Sequence, residues 1–166
     1  DLAIFTADST KLEFAQWSLV ENDHGPVSAV ILGDMGKSWN FDLLNRAFRL
    51  LMTDSATQLI ALGMTRYWRT GDGLQLDVGP FAQALSYATG KDPVVMGKPA
   101  ATFFAMAAGL LACPIDQMAM IGDDAYSDVE AAQRNGLYGI LVKTGKFRTE
   151  DLDRTAPNRV LESFAE

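Results

Sequence analysis

Two stretches decide the fold: Val94-Val95-Met96-Gly97-Lys98-Pro99 and Met118-Ala119-Met120-Ile121-Gly122-Asp123-Asp124-Ala125-Tyr126-Ser127-Asp128. Each is a short apolar run closed by glycine and followed by a helical pattern, the signature of a buried parallel strand leading into a helix. This predicts an α/β fold with Lys98 and Asp123 at the carboxyl ends of parallel strands, the rim where open α/β sheets bind ligands. Asp123, Asp124 and Asp128 crowd within a turn and a half, where carboxylates repel unless a cation sits among them. Hard oxygen donors suit Mg²⁺, and Lys98, fixed at its turn by Gly97 and Pro99, supplies a compact charge for phosphoryl oxygens. The competing reading has Asp124 capping a helix whose N-terminus Asp128 also favours.

Outward from this region, Ala100 to Cys113 reads as a core helix with Pro99 as its first residue, and Ala125 to Asn135 as a helix stopped by Gly136. Leu137 to Val142 forms another strand, and the loop Lys143-Thr144-Gly145-Lys146 follows it at the same rim, ahead of a polar tail. Gly90-Lys91-Asp92-Pro93 is a plausible junction. It separates residues 1–90, a small α/β unit, from residues 91–166.

The first half carries strands at Leu2–Thr6, Val27–Leu32 and Gln58–Leu62, with a turn cluster from Glu21 through Asp23 to Pro26. Asn40 caps a helix whose Phe41, Leu44, Phe48 and Leu51 face a sheet while Asp42, Asn45, Arg46 and Arg49 face outward. Tyr67-Trp68-Arg69 and Leu74-Gln75-Leu76 flank a hairpin turned at Asp72-Gly73. A helix then starts at Gly79-Pro80 and ends at Gly90.

The 166 residues, 48% of them hydrophobic, are enough to bury a core, and the formal net charge of −7 argues against a nucleic-acid partner. A small phosphorylated ligand needs only one local cation. Cys113 is the single cysteine, so no intrachain disulfide forms and a cytoplasmic location is the simplest reading. Its thiol reads as buried and inert inside a helix, with His24, in a polar loop, as no base for it. The longest apolar segment is too short to cross a bilayer, so no membrane partner is expected. The opening residue, Asp1, suggests a natural N-terminus upstream.

Gly36-Lys37-Ser38 lies between a strand and a helix, but a phosphate-cradling loop requires a glycine where Ile31 stands. A nucleotide-binding domain is therefore the weaker alternative, and a polar turn with Ser38 or Asn40 as helix cap the default. Tyr67 and Trp68 either close over a ligand or pack on their own sheet.

Together, Gly97-Lys98-Pro99, Gly122-Asp123-Asp124 with Asp128, and Gly139-Ile140-Leu141-Val142-Lys143-Thr144-Gly145-Lys146 resemble the C-terminal half of a haloacid-dehalogenase-like (HAD) phosphatase. The resemblance is to the subgroup with a large α/β cap inserted in a Rossmann-like core. Asn45-Arg46-Ala47-Phe48, Arg66-Tyr67-Trp68 and the run from Gly73 to Phe81 resemble that cap. By this resemblance, residues 1–90 are the cap and residues 91–166 the C-terminal half of the core. Lys98 would steady the phosphoryl group, Asp123 would bind Mg²⁺ with Asp124 and Asp128 as further ligands or supports, and Tyr67 and Trp68 are candidate substrate contacts. The substrate would be a small phosphorylated compound hydrolysed through an aspartyl-phosphate, and caps of this type often pair two copies.

One part of the family pattern has no match. The nucleophile motif is an apolar strand ending in Asp-x-Asp, placed before the cap. Thr6-Ala7-Asp8 follows a strand but begins with Thr, and Asp151-Leu152-Asp153 follows a polar run at the wrong end. The expectation is a Mg²⁺-dependent phosphatase whose nucleophile lies outside this chain. The alternative is a non-catalytic module of the same fold that binds a phosphorylated ligand or a protein.

Overall fold

The computed structural model describes residues 1–22 and 24–166; Asp23, in the expected turn cluster, lies outside the described residues. The chain divides into two compact units, Asp1–Tyr67 with Gln75–Met96, and Trp68–Leu74 with Gly97–Glu166.

In the first unit, β1 (Leu2–Phe5), β2 (Ala29–Leu32), β3 (Gln58–Ala61) and β6 (Val94–Val95) form a parallel sheet in that order. All four residues of β2 are buried, as a strand covered on both faces requires. Alternation sorts the side chains. Ala3, Phe5, Val30, Leu32, Leu59 and Ala61 join one core, while Ile4, Ala29 and Ile31 join another with Phe14 and Leu62 packed against it.

A short helix, α1 (Asp8–Lys11), follows β1, and two longer helices complete the first core. In α2 (Phe41–Thr53), the Asn40 side chain caps by accepting from the Leu43 amide at 3.0 Å. In α3 (Val78–Thr89), Asp77 accepts from Val78, and Gly90 in the left-handed conformation ends the helix. Two expectations for α2 need correction. Leu51 is buried with Ala47 and Leu50, and Leu44 and Phe48 pack against that core as expected, but Phe41 stands 77% exposed. Arg46 turns inward, its Nη2 donating to the Val20 carbonyl at 2.7 Å and its guanidinium lying 5.0 Å from the Phe5 ring centre. Trp39 stacks between Phe5 and Phe81, at 6.2 and 4.6 Å. Its buried indole N–H has no hydrogen-bond partner among the described residues.

Val94 and Val95 form the end strand of this first sheet, although their run reads in the sequence as a buried strand grouped with the Asp123 strand. Val94 is 46% exposed, in keeping with a two-residue strand at a sheet edge. Between the units in sequence, β4 (Tyr67–Thr70) and β5 (Gly73–Leu76) form a two-stranded sheet turned at Gly71 and Asp72, one residue earlier than expected.

The second unit is built on the parallel sheet β7 (Ala119–Gly122), β8 (Tyr138–Val142) and β9 (Arg159–Leu161). Strand β9 lies in the tail that reads as merely polar. Helix α4 (Ala101–Leu111) starts after Pro99, not with it, and is less of a core helix than its composition suggests. Only Phe104 is fully buried, while Met106, Leu110 and Leu111 are exposed. Cys113 lies just beyond the helix, half-buried, its Sγ near the Pro114 carbonyl. After β7 the chain turns into a π-helical segment, Ala125–Glu130, that continues into α5 (Ala131–Arg134). Among the described residues, no helix is long and apolar enough to cross a membrane.

Leu51 is wholly buried against the first sheet. Leu51→Ala is expected to lower unfolding stability by about 2–5 kcal/mol, and loss of the cap in Asn40→Ala by about 1 kcal/mol, both read from urea denaturation.

Candidate functional site

Gly122 ends β7 and sets up the site. A Cβ there would collide with the Asp128 side chain, so only glycine lets that carboxylate fold back under the strand end. Asp128 is 5% exposed, and a charge buried to that degree must be paired. Its Oδ1 accepts from Lys98 Nζ at 2.7 Å and its Oδ2 from the Asp124 amide at 3.3 Å. One carboxylate thus joins the lysine that follows β6 to the acidic turn that follows β7.

The two other acids of the turn are held from the opposite side. Asp124 caps the π-helical segment, its Oδ1 accepting from the Tyr126 and Ser127 amides, both at 3.0 Å, while its Oδ2 meets Lys146 Nζ at 2.6 Å. Asp123 Oδ2 accepts the Lys146 backbone N–H at 2.7 Å. This close approach needs Gly145, whose φ of 56° favours glycine and whose Cβ position is filled by the Asp123 carboxylate. The loop Lys143–Lys146 therefore joins the site through Lys146, which grips one acid with its backbone and the next with its side chain.

Burial raises the pKa of Asp124, but hydrogen bonds from Lys146 and Ser127, with the Lys146 charge, outweigh it and leave the carboxyl below its ordinary value. Among the described residues, no group of three or more His, Cys, Asp or Glu side chains is arranged to hold a metal ion. Lysines already occupy Asp124 and Asp128. The second oxygen of Asp123, Oδ1, accepts no hydrogen bond among the described residues. A Mg²⁺ held through one carboxylate, with waters and phosphate oxygens as its other ligands, fits that donor set.

The other residues singled out by sequence make different contacts. Tyr67 belongs to the first unit, where the Arg66 guanidinium lies 5.9 Å from its ring centre. Trp68 belongs to the second unit and makes none of the hydrogen bonds of the acidic turn. The Gly36 amide is taken by Asp34 Oδ1 at 2.7 Å, which removes a donor that a phosphate loop would use. Asp8 is exposed and paired with Lys11, and Asp151 accepts the Arg148 amide in a helix cap. Lys146 was visible only as part of a loop, because no spacing rule links it to residues 23 positions earlier.

Open parallel sheets bind ligands beyond the carboxyl ends of their strands, where the acidic turn after β7 lies. A HAD-hydrolase-like family model matches residues 95–166. The chain is 45% identical over 139 residues to haloacid dehalogenase-like hydrolase domain-containing protein 2 of Bos taurus, covering 82% of this chain and 53% of that protein. It is 40% identical over 144 residues to phospholysine phosphohistidine inorganic pyrophosphate phosphatase of Homo sapiens, covering 87% of this chain and 52% of that one. Among solved structures, 4-nitrophenylphosphatase from Thermotoga maritima superposes with a TM-score of 0.82 at 28% identity, covering 98% of this chain and 62% of that chain. Residues 95–166 belong to the haloacid-dehalogenase-like hydrolase family, and the chain as a whole is similar to its members. It spans about half the length of the two relatives named here.

The lowered pKa of Asp124 fixes a sign. A carboxyl that titrates lower in the folded chain than in the unfolded one adds stability above its unfolded value, near ~3.9, and loses it as pH falls through the folded value. In metal-free protein, the urea midpoint is expected to fall on acidification below about pH 4, and less steeply in Asp124→Asn. Gly122→Ala is expected to destabilise the second unit by displacing Asp128, read from the same titration at neutral pH.

Proposed function

We propose that the full-length protein is a Mg²⁺-dependent phosphatase acting on a small phosphorylated substrate. In this reading, residues 1–90 are its cap, residues 91–166 are the C-terminal half of its core, and the nucleophilic aspartate is supplied from outside this chain. The observation that carries the reading is the bridge from Lys98 through Asp128 to the Asp123-Asp124 turn.

Lys98 is 34% exposed at its side chain, so its ammonium can contact a phosphoryl oxygen while Asp128 holds it in place. The anchored lysine offsets charge on the transferring group without reorganising at the moment of reaction. Asp123 would hold Mg²⁺ through its free oxygen, with Asp124 and Asp128 supporting the turn. The ion, when bound, neutralises phosphoryl oxygens and favours in-line attack. The attacking group would be a carboxylate forming an aspartyl-phosphate, in keeping with the family and with Asp8 and Asp151 being otherwise engaged.

The relatives' names give the substrate class its range, from aryl phosphate to phosphoramidate and pyrophosphate. Tyr67 and Trp68 are proposed as substrate contacts, and the cap as the surface through which two copies pair. A cytoplasmic location accords with the single unpaired cysteine.

The test is hydrolysis of 4-nitrophenyl phosphate by the full-length protein with and without Mg²⁺. Turnover is expected to need the metal and to fall by about 10²-fold or more in Lys98→Ala and in Asp123→Asn. The 166-residue chain alone is expected to be inactive. Robust turnover by that chain would refute an external nucleophile, and Mg²⁺ and phosphate binding without turnover in the full-length protein would favour the non-catalytic module.

A further inference from the structure

The peptide group between Gly145 and Lys146 is held at both ends. Its N–H donates to Asp123 Oδ2 at 2.7 Å, and its C=O accepts from Arg69 Nε at 2.9 Å. Arg69 comes from β4, on the hairpin segment that belongs to the second unit, 76 positions earlier in the chain. A peptide group is planar, so fixing the direction of its carbonyl fixes the direction of its amide.

Gly145 makes that fixing necessary. It stands at φ 56°, and without a Cβ it resists rotation of its following peptide less than any other residue. Rotation there would turn the Lys146 N–H away from Asp123, whose carboxylate would then lose its anchor. The side chain of Lys146 reaches Asp124 at 2.6 Å, so the same rotation would also disturb the neighbouring acid. A guanidinium on the carbonyl opposes the rotation, and by polarising the amide it strengthens the bond to Asp123.

We propose that Arg69 is a positioning residue for the acidic turn, locking the Gly145–Lys146 peptide so that Asp123 presents its free oxygen to Mg²⁺. The proposal rests on the metal reading above and adds to it a residue outside the strand-end motifs.

The experiment uses the full-length protein with Arg69→Met, which keeps the side-chain stem and removes the donor, and Arg69→Lys, which restores one cationic donor. Two quantities are measured: hydrogen exchange of the Lys146 amide by NMR without metal, and Mg²⁺ affinity by calorimetry. In Arg69→Met the exchange is expected to quicken about tenfold and the affinity to fall about 10-fold, the usual effect of losing a group that orients a metal ligand. Arg69→Lys is expected to recover part of both, with the thermal midpoint of either variant close to the parent. Unchanged exchange in Arg69→Met overturns the lock even where the parent protein binds Mg²⁺. Faster exchange with unchanged Mg²⁺ affinity overturns the positioning role. A parent protein with no Mg²⁺ affinity overturns the metal reading and this role with it, while the exchange measurement still decides whether the peptide lock exists.

Discussion

The buried carboxylate of Asp128 is the constraint on which the second unit is arranged. A negative charge at that depth persists only with cationic and amide partners, and it has both in Lys98 and the Asp124 backbone. Several local features serve the same end. Gly122 leaves the space the carboxylate occupies, and the wide π-helical turn after Asp124 includes Asp128 itself. Wide turns of this kind are uncommon and gather at functional sites.

The three acids of the turn differ in the partners they meet. Three carboxylates, Asp123, Asp124 and Asp128, face two ammonium groups, Lys98 and Lys146, through the contacts described. A third cation, the Arg69 guanidinium, sits on the Gly145 carbonyl, one peptide away from the Asp123 carboxylate. Among the described residues, Asp123 is met by a backbone amide and by no lysine side chain.

Much of the architecture was legible in the chain. Short apolar runs closed by glycine or polar turns marked β1, β2, β3, β7 and β8, most plainly β2, whose four residues are all buried and leave no polar face to interrupt the run. Caps were equally plain at Asn40 and Gly90. Features decided by tertiary context were not. Val94-Val95 looks like a core strand yet sits at the edge of the first sheet, and Arg159-Val160-Leu161 looks like polar tail yet pairs with β8. Arg46 reads as outward until the Val20 carbonyl and the Phe5 ring are seen beside it. At the site, the aspartates and Lys98 stood out by motif. Lys146 and Arg69 did not, since their partners are far along the chain and one contact of each runs through backbone that no side-chain pattern encodes.

The aromatic stack in the first unit gives the chain a built-in optical label. Of the three tryptophans, Trp17 and Trp68 are open to water, whereas the Trp39 indole is sandwiched between Phe5 and Phe81. Emission at shorter wavelength therefore originates in the sandwiched ring, and its red shift follows the melting of the four-stranded sheet alone. That ring belongs to the first unit, so its emission reports on the packing there, whereas circular dichroism averages over the helices and strands of the whole chain.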